Sequence, residues 1–302
     1  WSNKLALTVP TLLPEKDYAN CYVDPDVLKS GKTFRLPGFN EARYLSRVIY
    51  TSCDLRHILF PGDYGKGEYG NKKHETTFLE LIKELDLTQN INRFRISSIE
   101  PNLLKNDIID FIATSNLFVP HFHIPLQSGS NKILGLMKRR YRKELYEDRI
   151  RYIHSKINDV CIGVDVIVGF PGETEEDFEQ TLQAIQTVHY DQIFAFKYSP
   201  RPDTPAAVYS GQLPEEVKIE RLRRLLELQE PIVKAKNKAL IGSSQEVLVE
   251  GPYLKDPNRL NGRSRGYHSV AIANCVAEPG KLVPVRITGA KTYLLEAEPL
   301  SK

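Results

Sequence analysis

The chain has 302 residues, with 41 Lys and Arg against 38 Asp and Glu and a formal net charge of +3. That length accommodates one large α/β domain and a small one, and the charge is too low to mark the whole surface for nucleic acid, so any RNA surface is a local patch. No apolar run nears the roughly 18 residues that span a bilayer, and no charged-then-apolar leader opens the sequence; the expectation is a cytosolic protein and a monomer.

The chain begins at Trp1 rather than Met, which suggests a fragment or a processed chain. Cys21, Cys53, Cys161 and Cys275 are scattered, with no Cys-x-x-Cys pair, so they form neither a disulfide framework nor a zinc ribbon. The first fifty residues, punctuated by Pro10, Pro14, Pro25 and Pro37, carry few periodic signals.

From there strands and helices alternate. Runs of branched and aromatic residues predict strands at Arg56 to Phe60, Phe94 to Ile99, Phe122 to Leu126, Ile162 to Val168 and Ile193 to Tyr198. Between them Phe78, Leu81, Ile82 and Leu85 make one helical stripe, and Phe178, Leu182, Ile185 and Val188 make another. Thr174 and Asp177 form a capping box for the second, and Ser130 can cap a helix over 131–137. A further helix opens at Pro214 with Val217, Leu222, Leu225 and Leu226 on one face, and Pro231 should end or kink it. This order argues for right-handed βαβ units around a parallel sheet closed into a partial or full barrel, the first domain of an α/β protein.

After about Leu240 the texture changes to short alternating runs at Gln245 to Glu250, Arg259 to Arg265, Ser269 to Asn274, Lys281 to Thr288 and Thr292 to Glu296. Gly and Pro separate them, which predicts a small five-stranded antiparallel barrel. The boundary is expected near 237, with domains at 1–237 and 238–302.

In a βα barrel the working residues sit at the C-terminal ends of strands. That rule selects Ser98 and Glu100, Gln127 and Ser128, and Gly169 to Glu173. Gly169 and Gly172 would let backbone N–H groups approach a ligand, beside a helix N-terminus that favours a carboxylate or phosphate; making the turn is the plainer role for both. His121 and His123 alternate on one strand and share a face. With Asp165 and His154 they could form a hydrolytic zinc site, although the helix carrying His154 would lie outside the barrel. Arg139, Arg140, Arg142 and Lys143 read as a solvated helix start that could touch RNA.

Four segments occur in series: His123 to Ser130 (His-Ile-Pro-Leu-Gln-Ser-Gly-Ser), Met137 to Tyr141, Asp165 to Thr174 (Asp-Val-Ile-Val-Gly-Phe-Pro-Gly-Glu-Thr) and Tyr198 to Ala207. Together they resemble the radical S-adenosylmethionine methylthiotransferases that modify tRNA, from about Gly62 to the C-terminus. The resemblance implies a partial TIM-like barrel followed by a TRAM-like RNA-binding barrel. It implies S-adenosylmethionine and a [4Fe–4S] cluster as cofactors, and the tRNA anticodon loop as partner. The reaction implied is methylthiolation at C2 of a modified adenosine next to the anticodon. Ser98, Glu100, Gln127 and Asp165 would line the S-adenosylmethionine pocket, with Ser128 and Gly169 beside them. Arg201, Arg259, Arg263, Arg265 and Lys291 would contact RNA phosphates, as single-stranded RNA is usually held. Phe94 to Pro101 looks closest to members acting on threonylcarbamoyl-adenosine and the stretch from Tyr198 to those acting on isopentenyl-adenosine.

The departure lies in the N-terminal fifth. The family holds its cluster on a Cys-x-x-x-Cys-x-x-Cys loop, and this chain has no such spacing. Cys21, shortly before Pro25, is the sole vestige, and positions near Asp17 and Tyr18 carry no cysteine. One thiolate cannot hold a cluster that needs three. The alternative expectation is therefore a catalytically inactive S-adenosylmethionine- and tRNA-binding scaffold.

Overall fold

A computed structural model describes residues 77–300 except Asn90 and Asp203, together with the backbone of four short strands before them. These are β1 (Ala6–Thr8), β2 (Thr33–Arg35), β3 (Ile49–Tyr50) and β4 (Arg56–Leu59). β1 and β2 pair antiparallel with each other. β3 joins β4 antiparallel, and β4 runs parallel to the next strand, β5 (Arg93–Ile96).

Before β5 lies α1 (Phe78–Asp86), started by a complete capping box in which Thr77 and Glu80 satisfy each other's backbone N–H. Its stripe of Phe78, Ile82 and Leu85 is buried, each side chain contributing about 1.5–3 kcal/mol by leaving water. After β5 come α2 (Asn106–Thr114), β6 (His121–His123), α3 (Asn131–Leu136) and α4 (Lys143–Lys156). β7 (Cys161–Val168), α5 (Glu175–Val188) and β8 (Gln192–Lys197) complete the alternation. β6, β7 and β8 pair in parallel. Phe94 bridges in parallel to Phe118, and the Ile99 N–H donates to the His123 carbonyl at 2.9 Å, so the sheets β3-β4-β5 and β6-β7-β8 adjoin at β5 and β6. This is the partial barrel expected.

Alternation along each strand sorts its two faces. On β7, Ile162, Val164, Val166 and Val168 are fully buried against the helices in one continuous core with Phe94, Ile96, Phe122, Ile124, Phe178 and Ile185. The opposite face carries Cys161, Gly163, Asp165 and Ile167. On β5 and β6 the same inward face carries Arg93, Arg95, His121 and His123. The barrel interior is thus polar where its outer layer is apolar.

A 3₁₀ turn (Pro205–Val208) leads to α6 (Glu215–Ala239). Pro231 lies inside α6 and does not end it. Leu225, Gln229 and Val233 remain buried on either side of that proline, and their packing outweighs the lost backbone hydrogen bond.

The tail forms a closed barrel of β9 (Ser244–Tyr253), β10 (Asp256–Ser264), β11 (Ser269–Ile272), β12 (Leu282–Lys291) and β13 (Leu294–Pro299), in the order β10-β11-β13-β12-β9. Its core is Val247, Val249, Val270, Ile272, Val285, Ile287 and Leu295. The expected wholly antiparallel pattern needs one correction, because β11 and β13 pair in parallel. Closure leaves no free sheet edge, so the last strand must meet β11 in whichever direction the connection delivers it.

Candidate cofactor and RNA-binding site

The C-terminal ends of β5, β6 and β7 converge. Ser98 and Gln127, just past two of these ends, both adopt the left-handed region, with φ of 50° and 64°. Such conformations cost of order 1–3 kcal/mol and concentrate at functional sites. Gln127 is held in place by its N–H donating to the Asp165 carbonyl at 2.8 Å and its carbonyl accepting from Ile167 N–H at 2.9 Å. Its side-chain Oε1 is buried without a hydrogen-bond partner among the described residues.

Asp165 projects from the inward face of β7, and its Oδ1 lies 3.0 Å from His123 Nε2. Phe194 of β8 stacks on the His123 ring with centroids 5.4 Å apart and planes 14° from parallel. Glu100 lies at the mouth, 3.1 Å from the Arg139 guanidinium. Ser98, Glu100 and Gln127 thus follow the ends of β5 and β6, and Asp165 lies on the neighbouring β7, joined to Gln127 through the backbone.

Ser128 and Gly169 serve differently. Ser128 is fully buried, and its Oγ accepts from Ser130 N–H at 3.2 Å inside the turn that starts α3. The expectation that Gly169 and Gly172 offer N–H groups to a ligand is corrected. Gly169 N–H donates to Glu173 Oε2 at 2.6 Å, and Gly172 N–H donates to the Gly211 carbonyl at 2.9 Å. Glu173 in turn pairs with Arg221 at 2.6 Å, both side chains buried. Burial pushes the Glu173 carboxyl upward, against the lowering pull of the Gly169 N–H and of Arg221. This loop is sealed by its own carboxylate.

The zinc reading of His121, His123, Asp165 and His154 is also corrected. His121 Nδ1 faces Arg95 at 3.4 Å, and burial, then Arg95, holds its pKa well below the usual imidazole value. Among the described residues the grouping with metal-ligand spacing is Cys161, Asp191 and His268 instead. Both Asp191 oxygens are engaged, one 2.7 Å from Lys236 Nζ and the other accepting from Ile162 N–H at 2.8 Å, and burial pushes the Cys161 thiol up. A thiolate ligand is disfavoured there.

The tail cations divide into two kinds. Arg259 lies 3.2 Å from Asp256 and Lys291 lies 2.9 Å from Glu296, in exposed or half-exposed pairs that cost little to exchange. Arg263 is engaged within the tail, its guanidinium over the Tyr267 ring at 4.8 Å and its Nη1 donating to Ser269 Oγ at 2.6 Å, and Arg265 donates to the Asn116 carbonyl of the partial barrel at 3.4 Å. Arg201 is exposed in the loop after β8.

Two regions of the sequence match known families: residues 64–185 match the radical SAM superfamily, and residues 238–300 match the TRAM domain. The tRNA-2-methylthio-N(6)-dimethylallyladenosine synthase of Carboxydothermus hydrogenoformans is 42% identical over 271 residues, 90% of this chain and 58% of that protein. The enzyme of the same name from Moorella thermoacetica is 42% identical over 221 residues, 73% of this chain and 50% of that protein. The chain joins a radical SAM region to a TRAM domain and is about 40% identical to these tRNA methylthiotransferases over most of its length. It spans about half the length of the curated relatives it matches. Among solved structures, coproporphyrinogen III oxidase (HemN) from Escherichia coli is 19% identical with a TM-score of 0.43, covering 50% of this chain and 36% of that one, a likeness too slight to carry an argument.

The radical SAM region implies S-adenosylmethionine and an iron–sulfur cluster. The acceptors near the strand ends fit the first: an orphaned amide oxygen on Gln127 and the carboxylates of Asp165 and Glu100 suit a ligand rich in amino and hydroxyl donors. The cysteines do not fit the second. Cys161 lies at the N-terminal end of β7, away from the mouth, and Cys275 lies in the tail. Cys21 and Cys53 fall outside the described residues, and no three cysteines anywhere in the sequence share the cluster spacing.

Sequence reasoning missed Arg95, Phe194 and Tyr267. Arg93 and Arg95 alternate with Phe94 and Ile96, a charged-apolar alternation that marks an inward polar face. Tyr267 carried no comparable signal.

Proposed function

We propose that this chain is the S-adenosylmethionine- and RNA-binding part of a tRNA methylthiotransferase that acts at C2 of an N6-dimethylallyladenosine beside the anticodon. The observation that supports it is the buried, unpartnered Gln127 Oε1 beside the Asp165–His123 pair, on a chain about 40% identical to synthases named for that nucleoside. In this reading Asp165, oriented by His123, and Gln127 accept from the cofactor's amino and hydroxyl donors. When bound, S-adenosylmethionine supplies the adenosyl and methyl groups on which the family's chemistry draws. The tail barrel holds the anticodon loop through Arg259 and Lys291, with Arg201 at the mouth.

A second reading rests on the cysteines. With no three-thiolate loop in this sequence, the chain as given serves as a scaffold that binds S-adenosylmethionine and tRNA without cleaving the cofactor. Anaerobic reconstitution with iron and sulfide, followed by metal analysis and a visible spectrum with and without S-adenosylmethionine, separates the two. About four irons per chain, with a spectrum that responds to the cofactor, supports the enzyme. Calorimetric binding of S-adenosylmethionine without iron supports the scaffold. Binding of neither iron nor cofactor removes both readings.

A further inference from the structure

The turn between β10 and β11 does not lie on the tail's own surface. It enters the N-terminal end of the partial barrel, and Tyr267 is its tip. The Arg95 guanidinium covers the Tyr267 ring at 3.8 Å from its centroid, Arg263 approaches it at 4.8 Å, and the His121 ring lies at 5.3 Å. Gly266 backs onto Cys161, where a Cβ would meet Sγ at 2.5 Å, so only glycine lets the turn seat this deeply.

From this tip a row of inward-facing groups climbs the barrel. Tyr267 touches Arg95 and His121, and Arg95 contacts His121. Gly163 fills the space between the two histidines, its Cβ position 3.9 Å from His121 Nε2 and 3.6 Å from His123 Nδ1. His123 then meets Asp165 at the mouth. The rings of His121 and His123 thus lie on one face of β6, both within ordinary contact distance of Gly163.

Tyr267 holds φ of 68°, an uncommon conformation for an aromatic residue that persists only where the surroundings impose it. The surroundings are visible. Tyr267 N–H donates to the Ser264 carbonyl at 3.0 Å, Ser264 N–H donates to the His268 carbonyl at 3.1 Å, and His268 N–H donates to Ser264 Oγ at 3.1 Å. Docking of the tail has contacts besides this residue. Arg93 pairs with Glu246 at 2.5 Å, and Asn237 donates to the carbonyls of Lys291 and Thr292. A strained aromatic residue inserted among arginines and a histidine therefore has a task beyond attachment.

We propose that Tyr267 is a positioning residue for the Asp165 site: the tail barrel supplies the floor on which Arg95, His121 and His123 stand, and so sets the carboxylate that meets the cofactor. The cofactor part rests on the function proposed above; the positioning of His123 does not.

The test uses the full chain with Tyr267→Asn, which removes the ring while tolerating positive φ, and Tyr267→Phe, which keeps the ring. Arg265→Ala, which loosens the tail at Asn116 away from the row, is the control. The expected result is that the ring resonances of His123, which does not touch Tyr267, shift in Tyr267→Asn and stay in place in Tyr267→Phe and Arg265→Ala. Calorimetry with S-adenosylmethionine is expected to show about tenfold weaker binding for Tyr267→Asn alone. Should Tyr267→Asn not fold, Tyr267→His makes the same comparison with a smaller ring. Unmoved His123 resonances, or equal losses in Arg265→Ala and Tyr267→Asn, would overturn the proposal. A wild-type chain that binds no S-adenosylmethionine would remove the cofactor assignment and leave the histidine shifts to decide the positioning role.

Discussion

Asp165 Oδ1 stands 3.0 Å from His123 Nε2 across two adjacent parallel strands, with the Phe194 ring closing the far face of the imidazole. The aspartate is about a quarter exposed and the histidine is more buried, so the pair presents a carboxylate outward from an aromatic backing. Replacing Asp165 by Ala removes a charged acceptor, and such hydrogen bonds contribute about 1.5–3 kcal/mol. S-adenosylmethionine binding is expected to weaken at least about tenfold. An unchanged dissociation constant by calorimetry would take Asp165 out of the site.

The turn that carries Gln127 is anchored elsewhere, by Asp177 at the start of α5. This carboxylate accepts from Ser130 Oγ at 2.7 Å, Lys132 Nζ at 2.7 Å and Thr174 N–H at 2.9 Å. Burial alone would raise its pKa, and these donors overcome burial and bring it from 3.8 to about 2. A carboxyl whose folded pKa is depressed adds stability above its unfolded pKa and loses that contribution as pH falls through the folded value. The amount is on the order of 2 kcal/mol, present in full above pH ~4 and gone near pH ~2. Denaturant titrations across that range should show Asp177→Asn less stable at neutral pH, with a flatter acid limb. An acid limb as steep as that of the wild type would mean another group sets it.

Gly129 illustrates how closely the same turn is packed. A Cβ there would lie 2.4 Å from the Gln180 carbonyl oxygen and 2.6 Å from Thr181 Cα, both backbone atoms of α5. Neither can swing aside as a side-chain tip could. Gly129→Ala is expected to cost about 1–3 kcal/mol through overpacking, read as a lower urea midpoint with an unchanged slope. A midpoint equal to that of the wild type would show that α5 can move away at no cost.

The contrast between Asp165 and Tyr267 shows what the sequence could carry. The places of Asp165 inside β7 and of Gln127 and Glu100 beyond β6 and β5 were legible because the apolar outward face of those strands is written in Val164, Val166, Ile124 and Ile96. The capping box of Thr174 and Asp177 was legible for the same local reason. Tyr267 was not, because its partners Arg95 and His121 lie more than a hundred positions away and nothing in its own neighbourhood differs from an ordinary turn. The continuity of α6 through Pro231 and the parallel β11–β13 pair were hidden too: both are decided by packing between distant elements, which overrides local preference. His123 was found but given to zinc, since strand alternation places two histidines on one face without saying that Arg95 fills the space beside one of them.

Because the tail seats Tyr267 inside the partial barrel, deleting the tail would disturb the cofactor site as well as the RNA surface, and a smaller change isolates the RNA contact. Arg259 and Lys291 are held only by exposed or half-exposed ion pairs with Asp256 and Glu296, which contribute roughly 0–1 kcal/mol and can be traded for phosphates. The double variant Arg259→Ala with Lys291→Ala should fold normally and bind tRNA more weakly, and the slope of log affinity against log salt should fall by about 1.4, at roughly 0.7 per lost phosphate contact on a single-stranded loop. Arg265→Ala should leave that slope alone, because its guanidinium is turned to the Asn116 carbonyl. Equal slopes for the wild type and the double variant would place the RNA elsewhere, with Arg201 the next cation to replace.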